Sequence, residues 1–144
     1  MELSCKSEYA LLALIELSLH YSKGEPLRIC QIATEQGIPD RYLEQLLATL
    51  RRAGFVKSQR GAKGGYLLTR EPWKVTLLDE VSCIEGFEAK AKEAKLPKTT
   101  EGSVVGEVWQ ETRQSAEAVL EKYTLQDLVD KRNARQQVDL MYYI

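Results

Sequence analysis

Phe55-Val56-Lys57-Ser58-Gln59-Arg60 and Tyr66-Leu67-Leu68-Thr69-Arg70 are two short strand-forming runs, and Gly61-Ala62-Lys63-Gly64-Gly65 separates them. Three glycines in five positions close a tight hairpin and let its backbone approach another surface. What stands before this hairpin is helical in both pattern and punctuation. The feature narrows the chain to a mainly α fold that carries a small β wing.

The helical part reads in three steps. Residues 6–22 place apolar side chains on nearly all sides, through Tyr9-Ala10-Leu11-Leu12-Ala13-Leu14-Ile15, Leu17 and Leu19, so this helix should be covered by partners on more than one face. Gly24 and Pro26 stop it. A second, short helix at 28–36 sets Ile29, Ile32 and Ala33 on one face, and Gly37-Ile38-Pro39-Asp40 turns the chain into a third helix at 40–53. There Tyr42, Leu43, Leu46, Leu47 and Leu50 recur at helical spacing.

Two short helices joined by a glycine-containing turn form a helix-turn-helix. The third helix presents Asp40, Arg41, Glu44, Gln45, Thr49 and Arg52 among its polar positions, a face suited to base edges and phosphates. Spacing alone also describes helical hairpins that bind nothing. The hairpin that follows adds the layout of a winged helix, and its tip combines glycines with Arg60 and Lys63. Backbone that approaches phosphates closely, flanked by basic side chains, is chemistry for a duplex.

Charge agrees with that. Over the whole chain 20 Lys and Arg nearly cancel 21 Asp and Glu, for a net charge of −1. Residues 41–74, however, carry 8 basic side chains against only Glu44 and Glu71. A basic cluster within a mildly acidic chain is the signature of a polyanion-binding face.

Catalysis is poorly provided for. The chain has no phosphate-cradling GxGxxG or GxxxxGK[ST] and no GxSxG elbow, so it does not read as an enzyme. The cysteines, Cys5, Cys30 and Cys83, lie far apart and the single histidine is His20, which rules out a zinc site built from local pairs. An odd number of thiols suits a reducing compartment. With no long apolar run and no secretory signal at the start, the expectation is a cytoplasmic protein without membrane partners.

Beyond the hairpin, Val75–Val81 starts a short helix after Pro72-Trp73, with Thr76 as its cap. Apolar periodicity then lapses, and 87–103 is expected as a mobile surface loop. It returns from Val104 to Tyr123 as a long amphipathic helix, with Trp109 on its apolar stripe, that should pack on the first helix, on a second subunit, or on both. Thr124 caps a further short helix, and the tail from 131 begins polar and ends Met141-Tyr142-Tyr143-Ile144. The domains are then 1–86, the winged helix-turn-helix; 87–103, the loop; and 104–144, the dimerisation helix with the C-terminal segment.

The chain resembles the Rrf-two-type winged-helix regulators of bacteria. The match is carried by Leu3-Ser4, Ser7-Glu8-Tyr9-Ala10-Leu11, Gln31-Ile32-Ala33, Gln36-Gly37-Ile38, Tyr42-Leu43-Glu44-Gln45-Leu46-Leu47, Leu50-Arg51-Arg52-Ala53-Gly54 and Arg60-Gly61-Ala62-Lys63-Gly64-Gly65-Tyr66-Leu67-Leu68. The resemblance implies a homodimer on a pseudo-palindromic operator of double-stranded DNA. Family base contacts fall on Pro39, Arg41 and Glu44, with Asp40 and Gln45 beside them, and the wing arginine on Arg60, next to Gly61. Lys6, Arg51, Lys57 and Lys63 are then the phosphate contacts.

Family members with an iron–sulfur cluster place three cysteines in the segment matching 86–106, and this chain has none there. Some relatives build a shared site from a carboxylate at the start of the first helix and cysteines of the other subunit. Glu8 matches that carboxylate, which makes Cys5, Glu8 and Cys83 candidate ligands of an iron–sulfur cluster shared between subunits. Otherwise the thiols are small buried hydrophobes, Cys30 above all. Function accordingly divides into a redox- or iron-responsive DNA-binding regulator and a cluster-free regulator or interaction module under a protein or small-molecule effector.

Overall fold

The computed structural model describes the backbone of residues 4–93 and 97–142, and the side-chain surroundings of 4–86 and 97–142. Leu3 and the terminal Tyr143-Ile144 lie outside the described residues. In chain order the elements are α1 (Cys5–Leu19), α2 (Ile29–Gln36), α3 (Asp40–Arg52), β1 (Val56–Gln59), β2 (Gly65–Leu68), α4 (Leu77–Glu93), α5 (Thr100–Lys122) and α6 (Leu125–Tyr142), with single 3-10 turns at Tyr21–Lys23 and Pro72–Lys74.

α1 is the hub. It packs on α3, α4 and α6, which explains why its apolar side chains are spread around the helix. Ala10, Ala13 and Leu14 are fully buried there, in one core with Leu43, Leu47 and Leu50 of α3 and Ile32 of α2. Truncating such a leucine to alanine typically costs about 2–5 kcal/mol, so α3 is held rigidly against this core. Gly24 and Gly37 take left-handed caps at the ends of the Tyr21–Lys23 turn and α2. Gln31 reaches back to the Arg28 N–H to satisfy the start of α2.

β1 and β2 form an antiparallel pair in which Val56 faces Leu68 and Gln59 faces Gly65. The wing is tied to the helices at its base: Leu27 and Tyr66 exchange backbone hydrogen bonds of 3.0 and 2.7 Å. Gly65 allows this, because a Cβ there would collide with the Leu27 carbonyl, and a Cβ on Gly64 would meet the Gln59 carbonyl.

Expectations for the second half of the chain are corrected. α4 is not short but runs through Glu93, and α5 already begins at Thr100, so the segment 87–103 expected as a loop is helical at both ends; 94–96 lie outside the described residues. α6 is an 18-residue helix that takes in the polar tail up to Tyr142. Within the chain α5 packs chiefly on α4. Both threonine caps are present as reciprocal pairs: Thr76 with Asp79, and Thr124 with Asp127, each side-chain oxygen accepting from the other residue's backbone N–H. Among the described residues no helix is long and apolar enough to cross a membrane.

Candidate nucleic-acid interface

α3 offers a split surface because its sequence alternates a leucine stripe with charged and amide side chains. Leu43, Leu46, Leu47 and Leu50 are buried, whereas Asp40, Arg41, Glu44, Gln45, Arg51 and Arg52 are exposed. Pro39 caps the helix from an extended conformation, and Asp40 in the first turn complements the positive end of the helix dipole. Arg51 and Arg52 in the last turn complement the opposite end.

The wing stands beside this face. Arg28 donates from its guanidinium to the Ala62 carbonyl at the wing tip. Arg51 donates to Ser58 Oγ at 3.3 Å, joining α3 to β1. Between them lies a hollow of about 500 Å3 bordered by Asp40 and Glu44 of α3, by Arg28 and Cys30, and by Gln59 and Gly61 of the wing. Lys57, Arg60, Gly61 and Lys63 on the wing are all exposed, as is Lys6 in the first turn of α1. None of these basic groups forms an ion pair with another described residue. Free cations flanking an amide- and acid-bearing helix face can bind phosphates and leave base edges to Arg41, Glu44 and Gln45.

Two features escape a reading of the sequence. Arg28 braces the wing over a separation of 34 residues, which no local pattern reveals. Tyr9 and Tyr42 stack edge to face with centroids 5.4 Å apart, and with Pro39, Arg41 and Gln45 they line an open apolar hollow of about 340 Å3 at the start of α3. By spacing alone both tyrosines belong to the apolar stripes of their helices.

The cysteines are placed otherwise than expected. Cys5 and Cys30 are exposed rather than buried, and Cys83 is half-buried. Burial, and then the neighbouring Glu80, push the Cys83 thiol up from its ordinary value. Among the described residues no three His, Cys, Asp or Glu side chains converge. Within one protomer, Cys5, Glu8 and Cys83 therefore do not fit an iron centre.

Residues 3–131 match the Rrf2 family, described as "Iron-dependent Transcriptional regulator". The chain is 34% identical over 142 residues, 99% of each sequence, to the HTH-type transcriptional regulator CymR of Bacillus subtilis strain 168. Among solved structures it is similar to T. potens IscR, with a TM-score of 0.79 and 37% identity over 94% of this chain and 91% of that one. The structure of CymR, the global cysteine regulator of B. subtilis, superposes with a TM-score of 0.75 and 33% identity over 91% of this chain and 98% of that one. Recognition helix, braced wing and unpaired basic face thus coincide with relatives that regulate transcription: the chain is a DNA-binding regulator rather than an enzyme, and it belongs to the Rrf2 family.

Proposed function

We propose that this chain works as a homodimer that reads a pseudo-palindromic operator, with α3 in the major groove and the wing against the adjoining minor groove. The observation that carries the reading is the hollow between α3 and the wing, bordered by exposed Glu44 and by Gly61, with free basic side chains flanking both walls. In this docking Arg41 and Glu44 read bases, with Glu44 accepting from a cytosine amino group. Lys6, Arg51, Lys57 and Lys63 hold phosphates, and Arg60 enters the minor groove. The two copies pair through α5, placing their α3 helices about 34–36 Å apart.

Selection on random duplexes followed by titration tests the docking. Arg41→Ala and Glu44→Ala are expected to relax base preference, at about 1–3 kcal/mol for each good bidentate pairing with a base that the variant breaks. Arg60→Ala should weaken operator binding more than binding to random DNA. An unchanged preferred sequence in the first two variants refutes the placement of α3, and equal losses for Arg60→Ala reduce that side chain to a phosphate ligand.

The finer part of the reading is a redox response, and it is supported by Cys30. Its exposed thiol borders the hollow that α3 and the wing enclose. A disulfide reagent exchanging onto Cys30 Sγ, with one thiol released as leaving group, would place an adduct between the wing and the DNA. Treatment with oxidised glutathione is expected to lower operator affinity of the native chain and to spare Cys30→Ser. If both forms lose affinity equally, Cys30 is not the sensor.

A further inference from the structure

Glu80 is the one buried side chain among the described residues whose polar atoms find no hydrogen-bond partner. It lies in the first turn of α4, is 0% exposed, and sits between Leu77 and Val81, both buried. Its neighbourhood is acidic as well. Glu85, one and a half turns further along α4 and also buried, accepts hydrogen bonds from Ser7 Oγ at 2.9 Å and from Ser4 Oγ. Ser4 is at the same time the N-cap of α1, so Glu85 pins α4 to the start of that helix with its own carboxylate already satisfied.

Ionised, Glu80 would be a buried charge without a donor and with a second carboxylate nearby, an arrangement the core disfavours unless it takes up a proton or reaches water. Among the described residues nothing packed against α4 offsets it. On α1 the nearest cation in sequence to the Ser7–Glu85 hydrogen bond is Lys6, which is exposed, and on α5 the cations are Arg113 and Lys122; none donates to Glu80. On α4 itself the titratable neighbours are Cys83 and Glu85, neither of them positive.

We propose that Glu80 is a proton-operated latch: with the carboxyl neutral, α4 seats in the core against α1, and on losing the proton α4 lifts until the carboxylate is hydrated. The position gives the latch a consequence. α4 is the segment through which the wing half of the chain continues into α5, so release of α4 frees the reading head from α5, along which Val104, Val108 and Trp109 are exposed. Only the DNA arm of the test below rests on the function proposed above.

Burial, and then the charge of Glu85, push Glu80 up from 4.5 to about 8. A carboxyl raised in the folded state stabilises the fold fully below the unfolded value and loses that stabilisation as pH rises through the folded value. Urea unfolding of the full chain from pH 5 to 9 is therefore expected to show the folding constant falling about tenfold per pH unit, one proton's worth, until about pH 8. Glu80→Gln should lose that one-proton slope and be the more stable protein at pH 9. Glu80→Leu, which has no amide to bury, should lose the slope as well and decides the point if the glutamine variant does not fold. A slope unchanged in either variant overturns the proposal.

Amide exchange separates a latch from a merely costly residue. Between pH 7 and 9 the amides of 77–86 should open, beyond the intrinsic pH effect, ahead of those of α3 in the native chain but not in Glu80→Gln. Uniform opening refutes the latch. On a selected operator at constant salt, native affinity is expected to fall over the same range while that of Glu80→Gln holds. If no duplex binds at any pH, the DNA reading fails and the stability arm still decides Glu80.

Discussion

Gly65 and Leu27 meet at the base of the wing, where a side chain has no room. At φ 152°, a Cβ on Gly65 would press into the Leu27 carbonyl that accepts from the Tyr66 N–H. Gly65→Ala is therefore expected to cost more than about 1 kcal/mol, through broken backbone bonds and a displaced wing. Urea unfolding gives the first quantity, and duplex affinity, which should fall with it, reports the second. Stability equal to the native chain would mean that the wing is not seated on this junction. The glycine requirement was legible from Gly64-Gly65 between two strand runs; its cause, the approach of residue 27, was not, since the pairing of Leu27 with Tyr66 spans 39 positions. Glu80 was illegible for the opposite reason: an acid in a helix's first turn reads as a solvated, dipole-favoured position. Cys30 misled through the average burial of cysteine, although its place directly after Ile29 in the stripe Ile29, Ile32, Ala33 already turned it away from the core.

At the scale of elements, the half of the chain that reads DNA was the legible half. α1, α2, α3 and both strands lie within a few residues of the expected bounds, because each combines an apolar period with a punctuating residue: Gly24, Gly37, Gly54 and Gly61. The extension of α4 and the length of α6 were hidden. The stretch Glu88-Ala89-Lys90-Ala91-Lys92-Glu93 has no apolar stripe, and its absence read as a loop. Alanine, lysine and glutamate are nevertheless among the strongest helix formers, so propensity carries a helix where periodicity is silent. The same holds for Ala134-Arg135-Gln136-Gln137 in α6, once Thr124 and Asp127 have fixed its start. Of the interface, the exposed positions on α3 and the wing follow from the same periods. The bracing by Arg28 and Arg51 depends on how the wing folds back, and that is a property of packing.

The whole molecule leaves one helix without a core. None of the 23 residues of α5 is buried, and Val104, Val108, Trp109 and Val119 are all more than half exposed along it. A helix of this length gains little from propensity alone and normally relies on burial of an apolar face. Contiguous apolar surface of this kind marks a site of association. Pairing of two α5 helices would cover the stripe and set two copies of α3 in a symmetric arrangement, which a pseudo-palindrome requires. Trp109→Glu places a charge in the middle of that stripe and is expected to leave the helical content unchanged while sedimentation shows a monomer in place of a dimer. Duplex binding should follow in two ways. Affinity for the selected operator falls, and the slope of log affinity against log salt drops to about half, since each neutralised phosphate contributes about −0.9 and a single reading head meets half of them. A variant that still sediments as a dimer would show that the copies pair elsewhere. A monomeric variant that kept the native salt slope would instead show that one reading head already neutralises every phosphate involved, and the symmetric docking would fall.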